Sequence, residues 1–143
     1  MISKTGLLPD YDALAVGDAI PVLEIAPVSR TTLALFAGAS GDFNPIHIDI
    51  DFAKQAGFED VFAHGMLVMA WLGRAITNWV PQSQLRSYGV RFAAITQVHD
   101  ALRCEGEVRE KFEQAGERRV RLSLSAADTS GERKLVGEAV IAL

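Results

Sequence analysis

The chain has 143 residues, 49% of them hydrophobic and 22% charged, with twelve glycines and five prolines; this is the composition of one folded domain with its own core and excludes a disordered, collagen-like or low-complexity chain. Fourteen basic residues against eighteen acidic ones give a net charge of −4, whereas a nucleic-acid binder carries a basic surplus gathered into a stripe, so no nucleic-acid partner is expected. The single cysteine, Cys104, makes neither an internal disulfide nor a zinc site, no apolar run follows Lys4, and the longest apolar stretch, Val61 to Leu72, is short of the roughly 20 residues that cross a bilayer; a cytoplasmic protein with no membrane partner is expected.

In chain order, an opening extended piece spans Ala19 to Ile25. The segment Ser29 to Ser40 starts on a hydroxyl suited to N-capping and carries Leu33, Phe36 and Ala37 at helical spacing, and Gly41 ends it. Asp42-Phe43-Asn44-Pro45 is turn chemistry, because proline drives the preceding residue out of the helical region and Asx side chains bond nearby amides. Asp42 is therefore placed on a loop. A short extended piece, Ile46-His47-Ile48, leads to a brief helix capped by Asp49 or Asp51 and closed after Ala56 by Gly57. A long helix from Gly65 to Trp79 follows and stops before Pro81.

That long helix is apolar almost all round until Arg74 and Asn78, which predicts that other structure wraps it. Beyond it the pattern changes to period two. Tyr88, Val90 and Phe92 point one way, Val120, Leu122, Leu124 and Ala126 alternate, and Leu135 to Leu143 forms a closing apolar strand, with turns at Gly116 and at Ser130-Gly131. Helices first and strands second predict an α+β fold, a single domain over residues 1–143 in which an antiparallel sheet curls around the long helix. Arg118, Arg119 and Arg121 are expected on a solvated strand face.

Ionisable residues gather in one region: Asp42, His47, Asp49 and His64 fall within 23 positions on either side of the long helix's start. An Asp and a His five residues apart across a proline-bent loop can hold one water between them and move its proton, since histidine titrates near neutral pH. The Gly65 amide, first in its helix, can donate to an oxygen that gains negative charge. Each residue alone also has a purely structural reading: Asp42 as a loop cap, His47 as a strand residue bonded to a carbonyl, His64 as the helix N-cap.

The run Gly41-Asp42-Phe43-Asn44-Pro45-Ile46-His47-Ile48-Asp49, followed by His64-Gly65-Met66-Leu67, resembles the hydratase motif of the MaoC-like (R)-specific enoyl-CoA hydratase and (3R)-hydroxyacyl-carrier-protein dehydratase family. The resemblance runs from about Ala15 to Leu143 and is densest from Ala37 to Leu67. From Gly65 to Phe92 the chain looks like the small mycobacterial-type dehydratase subunits. The resemblance implies a hot-dog fold, a curved antiparallel sheet around a central helix, and pairing of two subunits edge to edge near the active sites. It implies Asp42 and His47 as the catalytic pair, Gly65 as the oxyanion amide, Asn44 as the loop's support, and His64 as a motif residue without a proton role. Asn44, His64, Met66, Trp71 and Gly73 are expected to border the substrate. The implied reaction is reversible addition of water across a trans-2-enoyl thioester of coenzyme A or acyl carrier protein, giving a (3R)-3-hydroxyacyl thioester. It calls for no metal and no cofactor.

Two departures stand out. Polyester-linked members carry a serine that contacts the aspartate where this chain has Gly73, which is expected to open room beside Trp71 for a bulkier acyl group. The family's proline-valine turn before Gly-Asp is here Thr96-Gln97-Val98-His99-Asp100, with His99 expected at the surface. Three other readings stay open: a hot-dog thioesterase, a subunit of a heterodimeric dehydratase, and a metal hydrolase using His47, His64 and Asp42 or Asp49.

Overall fold

The computed structural model describes residues 7–143. The helical segments lie where side chains can close their ends. In α1, Arg30–Ser40, the Ser29 hydroxyl accepts from the Thr32 amide and Gly41 ends the helix at φ 76°. In α2, Ile50–Gln55, the Asp49 carboxylate accepts from the Asp51 and Phe52 amides. The long helix α3, Gly65–Trp79, is bounded as its sequence predicts, but its N-cap residue His64 makes no side-chain capping bond.

Residues 46–48 are not extended. Pro45–His47 forms a single 3-10 turn, because the Asn44 side chain accepts from the Ile46 amide and proline supplies a helical first position. The opening extended piece is also shorter than its sequence suggests. It contributes β1, Leu23–Ile25, and one isolated bridge from Ala19 to Glu107.

Four more strands follow: β2, Leu85–Phe92; β3, Leu102–Gln114; β4, Glu117–Asp128; and β5, Arg133–Ala142. They form one antiparallel sheet in the order β1-β3-β4-β5-β2. At the β3–β4 hairpin Ala115 and Gly116 both have positive φ, 53° and 74°, the combination whose twist suits a two-residue turn. Register shifts at Val108/Glu110, Ala126/Ala127 and Leu85/Ser87 bend the strands.

The period-two residues of β4, Val120, Leu122, Leu124 and Ala126, are all buried, and α3 packs Leu67, Val68, Leu72, Ala75 and Ile76 into the same core. The helix touches all five strands. This is the sheet curled around one central helix, an α+β hot-dog architecture.

The wrapping is incomplete, contrary to the all-round apolar pattern of α3: Met66 is 56% exposed and Ala70 is also outward. Phe92 is 53% exposed although it alternates in phase with Tyr88 and Val90. Arg118 pairs with Asp12 and Arg121 with Glu110 across neighbouring segments, as solvated strand residues do, whereas Arg119 pairs with Glu117 of its own strand and its side chain is only 15% exposed, against the expectation of a solvated face. Among the described residues no helix is long and apolar enough to cross a membrane.

Candidate active site

The loop between α1 and α2 builds one wall of the site through local Asx chemistry. Gly41 turns the chain, the Asn44 amide donates to Asp42 Oδ1 at 3.2 Å, and the Ile46 amide donates to Asn44 Oδ1 at 3.1 Å. Asn44 thus supports the turn that carries His47, while the Asp42 side chain stays exposed. Half-buried His47 is anchored from outside its own loop: Nδ1 lies 2.7 Å from the Phe62 carbonyl. A carbonyl only accepts, so Nδ1 carries the hydrogen and the lone pair of the neutral ring is on Nε2.

His64 is 1% exposed and stacks on His47, with ring centroids 3.9 Å apart and planes 28° from parallel. Its Nε2 sits 3.3 Å from the Asp42 carbonyl, and the Phe36 ring of α1 meets it edge-on at 4.9 Å. Burial first, and the neighbouring His47 second, hold the His64 imidazole below its ordinary range, so it stays neutral near pH 7. Donor atoms of Asp42, His47 and His64 lie within 4.8 Å of one another. One nitrogen of each ring is committed to a carbonyl, which leaves His47 Nε2 and His64 Nδ1 as the lone-pair nitrogens of the neutral rings. Asp49 is occupied in capping α2.

Gly65 opens α3 directly beside this cluster, and as the first residue of the helix its N–H has no intrahelical acceptor. Uncapped by His64, this end keeps its partial positive charge available to a ligand. A cavity of about 320 Å³ adjoins it, lined by Phe62, Ala63, Gly65, Val68, Phe92 to Thr96 and Leu135. Thr96 is 3% exposed and its Oγ1 has no hydrogen-bond partner. That lining includes Gly65 but not Asp42, His47 or His64, and depressions of about 420 and 430 Å³ elsewhere hold none of the four.

Of the other residues singled out from sequence, Met66 lies on the outward face of α3. Trp71 lines a separate depression with Val28, Thr32 and Arg74, and does not border the cavity at Gly65. The room expected at Gly73 is filled: a Cβ there would stand 3.2 Å from Tyr88 Cε1, and the Tyr88 hydroxyl donates to the Met69 carbonyl at 2.7 Å. Burial raises the Tyr88 pKa, so that hydroxyl keeps its proton. His99 is at the surface with φ 76°. Sequence reading did not find the Phe62 carbonyl or the Phe92 ring over Gly65; each is a contact between segments far apart in the chain, and no local pattern marks it.

Residues 16–129 match the MaoC like domain family. The chain belongs to the MaoC-like family. Among its relatives is the mitochondrial 3-hydroxyacyl-[acyl-carrier-protein] dehydratase of Arabidopsis thaliana, 33% identical over 89 residues, which are 62% of this chain and 52% of that protein. The (R)-specific enoyl-CoA hydratase of Rhodospirillum rubrum is 35% identical over 54 residues, 38% of each chain. This MaoC-like chain spans about half the length of the plant relative and only 4% of the fatty acid synthase beta subunit of Saccharomyces cerevisiae that it also matches. Among solved structures, the unliganded R-hydratase PhaJ1 of Pseudomonas aeruginosa superimposes with a TM-score of 0.80 at 32% identity, over 92% of this chain and 84% of that one. The (R)-hydratase of A. caviae involved in PHA biosynthesis gives 0.79 at 27% identity, over 92% and 98%.

Proposed function

We propose that this MaoC-like chain is a hydro-lyase that reversibly adds water to trans-2-enoyl thioesters and yields (3R)-3-hydroxyacyl thioesters. The observation that carries the reading is the convergence of Asp42 and His47 beside the uncapped start of α3, where the Gly65 amide is free. The hydratase and dehydratase names of the relatives support it.

The thioester carbonyl accepts from the Gly65 amide, whose helix-end charge stabilises the enolate that forms as hydroxide adds at C3. A water held between Asp42 and His47 supplies that hydroxide. The Phe62 carbonyl engages Nδ1, so Nε2 is the His47 atom that exchanges a proton with the water. One of the pair takes a proton from the water while the other gives one to C2, so the pair's proton count is unchanged, and passage of the proton between them restores the starting state. The apolar cavity at Gly65 takes the part of the substrate next to the carbonyl. No step calls for a metal or a redox cofactor. The exposed apolar side chains Phe43, Ile48, Phe52, Met66, Phe92 and Ile95 suit a second hot-dog subunit, and we place a homodimer there.

The test is hydration of crotonyl-CoA and of a trans-2-decenoyl thioester, followed by ultraviolet absorbance of the enoyl group and by a thiol reagent. Loss of enoyl absorbance without free thiol, abolished in Asp42→Asn, is the expected result. Release of thiol would make the chain a thioesterase. Light scattering on the same sample is expected to give twice the mass of the 15.5 kDa chain; a monomer that turns over only with an added partner would make it a heterodimer subunit.

A further inference from the structure

His64 is left without a task by that mechanism, yet it is the most constrained side chain in the site. It is 1% exposed at the N-cap position of α3, where a side chain ordinarily accepts from the amides of the first turn, and it makes no such bond. Asparagine or serine would cap that helix better than histidine, so capping does not explain the residue. Its Nδ1 is buried without a partner, a feature that costs stability and calls for a reason.

The remaining contacts supply one. Nε2 faces the Asp42 carbonyl and must carry the hydrogen, so the unpaired Nδ1 is the lone-pair nitrogen of a neutral ring. The ring face stacks on His47, and the Phe36 ring of α1 meets it edge-on. The titratable groups beside it are Asp42 and His47. A proton placed on Nδ1 would find no acceptor and would stand against a ring that itself becomes charged during turnover. An uncharged ring, in contrast, offers its π face to the His47 imidazolium.

We propose that His64 is a positioning residue for the hydration reaction: a platform whose face fixes the His47 ring and whose Nε2–H fixes the backbone of Asp42, so that one side chain sets the distance between the two proton-handling groups. The proposal rests on the hydro-lyase reading for its kinetic consequence, but the positioning itself is visible in the free protein.

Two variants separate the two tasks: His64→Phe keeps the platform and removes the donor, and His64→Asn keeps a donor and removes the platform. Both are first shown to be folded by circular dichroism and thermal melting; asparagine at an N-cap favours α3. With only three histidines in the chain, imidazole ¹⁵N spectra resolve each ring. The expected wild-type spectrum has His64 as the uncharged Nε2–H tautomer at pH 7 and His47 as a single Nδ1–H tautomer. In His64→Asn the His47 tautomers mix; in His64→Phe the single tautomer persists. Turnover of crotonyl-CoA is expected to fall in both, by up to about 100-fold in kcat with little change in KM, as misplacement of a proton-transfer group does. A wild-type His64 that is charged at pH 7 or carries its hydrogen on Nδ1, or folded variants with an unchanged His47 signal and wild-type kcat, would overturn the proposal. A wild type inert toward every enoyl thioester overturns the reaction and the kinetic role with it, and the spectra then decide the positioning alone.

Discussion

The Phe92 ring stands where a side chain at Gly65 would have to go: a Cβ on Gly65 would lie 2.8 Å from Cε1 and 2.9 Å from Cδ1 of that ring. One step further along the same pair of elements the relationship repeats, with Tyr88 over Gly73. Eight residues of helix rise about 12 Å and four residues of strand about 13 Å, so the antiparallel run of β2 along α3 matches an aromatic ring to each glycine. The first of these pairs leaves the Gly65 amide on a cavity whose wall is Phe92.

Gly65→Ala is therefore expected to be a functional lesion more than a structural one. Phe92 is 53% exposed, and its ring can swing outward at small cost, so the melting temperature changes little. The displaced ring and the new methyl crowd the amide, and kcat falls by about 10²- to 10³-fold, the range for loss of an oxyanion donor. Steady-state kinetics on Gly65→Ala with and without Phe92→Ala check this. If the second change restores most of the rate, the loss came from the ring; if it does not, from the methyl beside the amide.

His47→Phe keeps an aromatic face for His64 and removes the nitrogen that the proposed mechanism puts at the water. The expected loss in kcat is about 10²- to 10⁴-fold, as for other proton-transfer groups. The Phe62 carbonyl loses its donor, which costs about 1 kcal/mol of stability. Activity and urea denaturation on one preparation separate the two effects; a variant as active as wild type would remove His47 from the chemistry.

Much of this site is legible in the sequence because its parts are local. Ser29, Gly41, Asn44, Pro45 and Asp49 act within four residues of themselves, and the run from Gly65 to Trp79 ends where Pro81 requires. The 3-10 turn at Pro45–His47 escaped because three residues show no period, and its deciding bond comes from the Asn44 side chain. The outward face of α3 escaped for a different reason. Apolar character reports that a residue leaves water, and the exposed Met66 and Phe92 fit burial by a second subunit as well as burial within the chain. Gly73 was read as empty space because a missing side chain in sequence says nothing of the Tyr88 ring that fills it.

The turn at residues 96–100 carries a correctable strain. His99 has φ 76° while its amide donates to the Val28 carbonyl at 2.8 Å, so the conformation is fixed by the packing of the loop before α1. A left-handed backbone costs a side-chain-bearing residue about 1–2 kcal/mol, and glycine avoids that at an entropic cost of about 0.5–1 kcal/mol. His99→Gly is expected to stabilise the chain by up to about 1 kcal/mol without changing kcat. Denaturant titration of the variant reads this directly, and a lower midpoint would show that the histidine side chain contributes more than its backbone costs.

The dependence of stability on pH should fall in two steps, each traceable to named groups. The folded His64 imidazole refuses a proton that the unfolded chain takes up near pH 6.5, so the stability carried by the neutral ring is complete above that value and declines as the pH drops below it. Glu117 behaves as a depressed acid. Arg86, bonded through Nε at 2.9 Å and Nη2 at 2.6 Å, and then Arg119 pull its pKa from 4.5 down to about 2. Its contribution is full above pH 4.5 and is lost as the pH falls toward 2, when the carboxylate that holds the two guanidinium groups is discharged. Urea midpoints measured from pH 8 to pH 3 are expected to bend first below 6.5 and again below 4.5. His64→Asn should remove the first bend and leave the second, and Glu117→Gln should weaken the second without abolishing it, because Asp128 and Asp60 are also held below the ordinary carboxylate range. A single bend near 4.5 in wild type would mean that the folded chain protonates His64 as readily as the unfolded one, and the burial of that ring would then not be what keeps it neutral.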